Sequence, residues 1–68
     1  MTPDQCRSAR ALLNWSADDL AARSGVSVAS IRNFERGATA LMPQNERAVQ
    51  QALESAGIEF IPGGVRRA

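Results

Sequence analysis

Four consecutive residues, Ser24-Gly25-Val26-Ser27, constrain this chain more than any other stretch, because they end one helix and start another almost at once. Gly supplies the left-handed residue that closes a helix, and Ser two positions later is a preferred N-cap for the next. Two short helices meeting at a tight turn are the result. Upstream, Ser16 is the matching start: Asp19 stands three residues on, and Asp18 and Asp19 fall in the first turn, where the helix dipole favours negative charge. Trp15 precedes that cap and is placed to pack on Leu20 as a hydrophobic staple, so the only Trp is read as core. Downstream, the next helix runs from Ser27 to about Arg36 and stops at Gly37. Ile31 and Phe34 face inward at a spacing of three, with Val28 on the same side near the solvent edge. Ser30, Arg32, Asn33 and Arg36 are left on or near the outer face.

The flanks supply the rest of a core. Thr2-Pro3-Asp4-Gln5 reads as a helix start with Thr as N-cap, Pro at the first helical position and Gln three residues after the cap. That helix runs to about Leu13, with Cys6, Ala9 and Leu13 on one face and Leu12 close by, so Cys6 is a small core residue rather than a reactive thiol. Residues 38 to 43 are a loop, since Pro43 disfavours helix at Met42. A last helix spans about Gln44 to Ala56, where Val49, Ala52, Leu53 and Ala56 repeat at helical spacing and Gly57 closes it. Then the pattern changes. Ile58-Glu59-Phe60-Ile61 alternates like a strand, and Gly63-Gly64 is suited to a two-residue hairpin turn before Val65. Residues 1–57 thus form a helical domain and 58–68 a separate tail.

With 68 residues there is room for one small domain, which buries about 60% of its unfolded surface, and not for an enclosed cleft. His and Tyr are absent and Cys6 is the only Cys, so metal cages, Ser-His triads and disulfide frameworks lack their parts. No enzyme, cofactor or metal is expected. No apolar run approaches the roughly 18 residues of a membrane span, and Met1-Thr2-Pro3-Asp4 does not begin a signal peptide, so the chain reads as cytoplasmic. Net charge is only +1, yet every base is Arg. Arg suits forked contacts to phosphate and guanine, although a GC-rich genome also favours Arg codons. The charge alternates along the chain: residues 1–14, 26–37 and the tail are each positive by one, and the stretches between them negative by one.

Two helices joined by a Gly-containing turn, the second capped by Ser and polar outside, are the parts of a helix-turn-helix. On Ser16-Ala17-Asp18-Asp19-Leu20-Ala21, Ser24-Gly25-Val26-Ser27 and Ser30-Ile31-Arg32-Asn33-Phe34-Glu35-Arg36-Gly37, residues 6 to 57 resemble the lambda-repressor-like domains, the Cro/C1 or xenobiotic-response-element type. The physical reading agrees: Ala21 is small where the recognition helix crosses, Gly25 makes the turn, and Val26 and Ile31 lock the pair. Large side chains at 21 or 25 are expected to force the helices apart. The expected fold is all-α, a compact four- to five-helix lambda-repressor-like DNA-binding domain with a short C-terminal β-like tail.

The resemblance implies that helix 27–36 enters the major groove of double-stranded DNA. It assigns base reading to Val28, Ala29 and Asn33, with Arg32 reaching base or phosphate; Asn33 suits adenine, Arg32 guanine, and Val28 and Ala29 thymine methyls. Phosphate contacts are expected from Arg7, Ser30, Arg36 and Thr39, with Arg66 or Arg67 as further candidates. Where relatives often carry Gln after the second helix's N-cap, this chain has Ala17, so only backbone N–H groups there meet phosphate. The loop after Gly37, often Lys- and Arg-rich in relatives, is Ala38-Thr39-Ala40-Leu41-Met42 here, which implies modest backbone affinity. Arg10 and Glu35 match the family's structural ion pair between the first and third helices. The implied function is a sequence-specific DNA-binding transcriptional regulator, a repressor or autoregulator acting as a homodimer on half-sites roughly 34 Å apart. Ile58, Phe60, Ile61 and Val65 are the candidates for dimerisation, the alternative being a hairpin folded on its own subunit. A second reading is an antitoxin-like or anti-activator module that uses the fold to bind a protein partner.

Overall fold

Three hydroxyl caps set the frame of the computed structural model, which describes residues 1–68. Thr2, Ser16 and Ser27 each accept a hydrogen bond from the backbone N–H three residues on, opening α1 (Pro3–Leu13), α2 (Ala17–Ser24) and α3 (Val28–Glu35). The first two are reciprocal capping boxes, closed by Gln5 and Asp19. A fourth helix, α4 (Pro43–Ser55), starts on Pro at its first position, one residue earlier than the sequence suggests, and Met42 at its N-cap stays extended. Asn14 ends α1 in the left-handed conformation, at φ 56°, the commonest alternative to Gly at a helix C-terminus.

The helices bury one small core: Cys6 and Ala9 from α1, Leu20 from α2, Ile31 and Phe34 from α3, Val49 and Leu53 from α4, with Val26 in the turn and Leu41 in the loop. Trp15 packs against this cluster before the α2 cap, and its ring is covered by the Arg23 guanidinium at 4.5 Å from the centroid. At Gly25, φ is +75°, and a Cβ built there meets nothing within 4 Å. The turn therefore demands Gly for its backbone conformation, and the expectation that a larger residue at 25 wedges the helices apart is corrected.

The tail is a hairpin of the chain's own. β1 (Ile58–Ile61) pairs antiparallel with β2 (Gly64–Arg67), Ile61 opposite Gly64 and Ile58 opposite Arg67. This register makes Pro62-Gly63 the turn, not Gly63-Gly64. Pro at the first central position and φ of +74° at Gly63 are the type II pattern, which Gly at the first position does not require. Ile58 is 3% exposed, and Phe60 and Val65 also pack on the core. The Gln5 amide fastens the hairpin to α1: its oxygen accepts from Thr2 N–H, and its nitrogen donates to the carbonyls of Ile61 and Gly64, both at 3.0 Å. Four helices and a two-stranded hairpin realise the expected all-α domain with its β tail.

Candidate nucleic-acid interface

Helix α3 has two sharply different sides. Ile31, Phe34 and Glu35 are buried, while Ala29, Arg32 and Arg36 are exposed and Ser30 and Asn33 lie between. Spacings of three and four place the first set on the core side, so the outer set is displayed together.

The posture of α3 is fixed by an ion pair beneath it. Glu35, 5% exposed, receives Arg10 Nε at 2.8 Å on Oε2 and Arg10 Nη2 at 2.7 Å on Oε1, a two-pronged contact from α1 to the end of α3. Arg10 Nη1 also donates to the Trp15 carbonyl at 3.0 Å, tying in the start of α2. The Cys6 thiol donates to Glu35 Oε2 at 3.1 Å. Burial alone raises the Glu35 carboxyl pKa, but the hydrogen bonds from Arg10 and Cys6 and the charges of Arg10 and Arg7 outweigh it and hold the group below the usual range. Cys6 moves the other way, pushed up to about 12 by burial and by the neighbouring carboxylate. The structural pairing of Arg10 with Glu35 is thus present, and Cys6 is a core residue that also serves as its third donor.

Outside, Arg7, Ala29, Arg32, Asn33, Glu35 and Arg36 surround an open concavity of about 460 Å³. Arg7 donates to the backbone carbonyl of Glu35 and to the Asp4 carboxylate, which seats it against the end of α3. Arg32 Nη2 lies 3.6 Å from Asp18 Oδ2 on α2. Arg36 donates to the Asn33 side-chain oxygen Oδ1, which leaves the side-chain Nδ2 of Asn33 without a partner in the chain. A neighbouring concavity of about 200 Å³ is bordered by Ser30, Asn33, Thr39, Met42 and Asn45, so Asn33 belongs to both. Ser30 Oγ accepts from Ser27 Oγ at 2.9 Å.

Of the expected base readers, Ala29, Arg32 and Asn33 share this surface, whereas Val28 is half-buried and packs on the core. Among the expected phosphate contacts, Arg7, Arg36 and Thr39 are exposed, whereas Ala17 is only 9% exposed and belongs to the core. Arg66 is paired with Glu59, and Arg67 donates to the Leu12 carbonyl at 3.3 Å, so both serve the hairpin and the end of α1. Three of the four tail residues expected at a subunit contact, Ile58, Phe60 and Val65, pack on their own chain's core; Ile61 does not. Two residues went unread in the sequence: Met42, 62% exposed, and Asn45, on the first turn of α4. Pro43, which starts a helix and so sets Asn45 in its first turn beside the loop, is the signal that the sequence carries for this edge.

No helix is long and apolar enough to cross a membrane. No curated protein matches the chain. A family model described as Helix-turn-helix matches residues 7–55, from the first helix through the last residue of α4 and short of the hairpin. Matched over more than half its length, with α2 and α3 meeting at the Gly25 turn and the polar face of α3 turned outward, the chain belongs to the Cro/C1-type helix-turn-helix family of DNA-binding regulators.

Proposed function

We propose that the chain is a sequence-specific transcriptional regulator, a repressor or autoregulator, that lays α3 in the major groove and binds as a homodimer. The observation that supports this reading is the outer face of α3, where two guanidinium groups and an amide stand around one open concavity with Arg7 at its edge. Arg32 and Asn33 carry the donors and acceptors that distinguish base pairs, and Ala29, with the shoulder of Val28, suits a thymine methyl. Arg7, Ser30, Arg36, Thr39 and the backbone at Ala17 are the groups for phosphate, fixing register rather than sequence. One helix reads few base pairs, so two copies of α3 about 34 Å apart are needed for useful specificity. Ile61 and the unpaired strand edges are the part of the tail left for a second copy.

Selection of bound sequences from a random duplex pool, at fixed salt, tests the reading. A palindromic or near-palindromic motif is expected. A pool with no enriched sequence overturns it and moves the α3 face to a protein partner, as in an antitoxin-like or anti-activator role. For the dimer, Ile61→Asp is expected to shift analytical ultracentrifugation toward the monomer. An unchanged equilibrium places the subunit contact elsewhere.

A further inference from the structure

The arginines beside the recognition helix are not free. Arg7 is paired with Asp4 on its own helix, and Arg32 faces Asp18 across the turn from α3 to α2. All four side chains are about half exposed or more, so neither pair contributes much to stability. Both acids lie in first helical turns, where the dipole welcomes them, but that role does not require an arginine of the DNA face within reach. Arg36 differs, since its partner is the neutral amide of Asn33.

We propose that Asp4 and Asp18 are specificity-determining residues that hold Arg7 and Arg32 in intramolecular ion pairs and so suppress sequence-independent binding to phosphate. This rests on the major-groove reading of α3. A phosphate that approaches Arg7 or Arg32 meets a carboxylate already in place, and two anions then compete for one guanidinium. A guanine edge presents neutral acceptors, so it shares an arginine with a carboxylate at far less electrostatic cost. The pairing therefore weakens contact to any duplex more than contact to the right sequence. Arg36, without an acid, is the uncompeted phosphate contact of this face, and Arg7 reaches phosphate only in competition with Asp4.

The test compares the wild-type chain with Asp4→Asn/Asp18→Asn on a labelled random-sequence duplex and on the duplex selected by the wild type, by fluorescence anisotropy over a range of salt. Random-duplex affinity is expected to rise severalfold in the double variant. The slope of log K against log salt is expected to steepen by about 0.9 for each phosphate gained, and the ratio of selected to random affinity to fall. Glu54→Gln, on the exposed face of α4, makes the same change of one charge as Asp18→Asn alone; it is the control for that single variant and is expected to leave slope and ratio in place. If slope and ratio do not change in the double variant, or change equally in the control, the proposal is overturned. A purely helix-capping role lowers the melting temperature and leaves the slope alone. Asp18→Asn by itself, with the Ser16–Asp19 box intact, gives the smaller effect of one arginine should the double variant fold poorly. A wild type that selects no motif refutes the DNA reading; a wild type with a motif, read at the same ratio by the double variant, refutes only this inference.

Discussion

Breaking the Arg10–Glu35 pair from either side has opposite electrostatic consequences, which makes it the sharpest probe of how this small domain is held together. In Glu35→Ala, Arg10 keeps its bond to the Trp15 carbonyl but loses both carboxylate contacts. Removing one partner of a buried pair costs about 3–5 kcal/mol, and since a fifth of the Arg10 side chain still meets water, the cost is expected at the lower end, about 3 kcal/mol. A chain of 68 residues at about 0.05–0.15 kcal/mol per residue holds about 3–10 kcal/mol in all. The loss thus takes from a third of the stability to nearly all of it, and lowers Tm by roughly 12–24 °C at about 4–8 °C per kcal/mol. Arg10→Met strands the more deeply buried partner and is expected to cost more, about 4–5 kcal/mol. Without Arg10, burial dominates at Glu35, its pKa rises, and the variant gains stability as pH falls from 7 to 5, a window in which the wild type stays flat. Arg10→Met combined with Glu35→Leu removes both charges and is expected to cost less than either single change. Urea unfolding followed by Trp15 fluorescence measures all four chains, and equal m-values secure the comparison. Single variants that lose less than about 1 kcal/mol, or a double variant that loses their sum, would refute the reasoning. Loss of DNA binding by an Arg10 variant has to be referred to its folded fraction.

Glu35 and Asp19 both sit below the usual carboxylate range, the first through Arg10 and Cys6 against its burial, the second through the backbone N–H and hydroxyl of Ser16. Their contribution is complete above their unfolded values, near about 4, and is lost as pH falls through the lowered folded ones; urea midpoints are expected flat from pH 7 to 5 and falling below about pH 4, and a steady decline from pH 7 contradicts this. Cys6, with its thiol pushed up to about 12, is expected to resist alkylation at pH 8 in the folded chain and to react at the rate of unfolding; fast stoichiometric labelling in native buffer counts against the buried hydrogen bond. Raised rather than lowered, its contribution is full below about pH 8.5 and fades as pH climbs. Gly25→Ala is expected to cost about 1–2 kcal/mol, for the left-handed backbone alone, and Gly25→Asn less; a loss well above about 3 kcal/mol by thermal melting brings back steric crowding as the cause. Asn33→Ala is expected to cost about 1–3 kcal/mol at the selected site and to relax one base pair, and an unchanged selected motif removes Asn33 from the readers.

What was legible in the sequence is what local chemistry dictates. Thr2, Ser16 and Ser27 start helices because their hydroxyls satisfy backbone N–H groups a few residues away, and Gly25 closes α2 because of its own backbone, so each signal is complete within a handful of residues. The pairing of Arg10 with Glu35 spans 25 residues, and no periodicity encodes it; it was reachable only through resemblance to a family. Beyond the reach of either route were contacts in which one side chain serves two partners. Gln5 completes a cap and also grips the hairpin 56 residues away, and Cys6 fills core volume while donating to a buried carboxylate. Gly63-Gly64 and Pro62-Gly63 are both permissible turn pairs, and Ile58 and Phe60 share a face with either; what separates them is the cross-strand partner, since the Pro62-Gly63 turn sets Phe60 opposite Val65 where the other would set it opposite Arg67.

On the proposed function, the same doubling of roles accounts for how so small a domain sets the outer face of α3. Helix α3 has only eight residues, too few to be stable alone, and its outer face holds no apolar anchor to lock it on a target. Its orientation has to be set from beneath, before DNA arrives, because any residual rocking would be an ordering cost at binding. Ile31 and Phe34 supply contact area but tolerate sliding, whereas the two-pronged Arg10–Glu35 contact has one geometry, and Arg7 adds a second hold on the Glu35 carbonyl. Asn33 and Arg36 share the final turns of the helix that Glu35 anchors, so the polar groups best suited to DNA stand closest to the fixed point. Glu35→Gln is therefore expected to separate posture from stability. It retains part of the hydrogen bonding and a folded chain, yet frees the end of α3, so selected-site affinity falls further than the fraction unfolded accounts for. Affinity that tracks the folded fraction alone would show that the pair holds the domain together without aiming the helix.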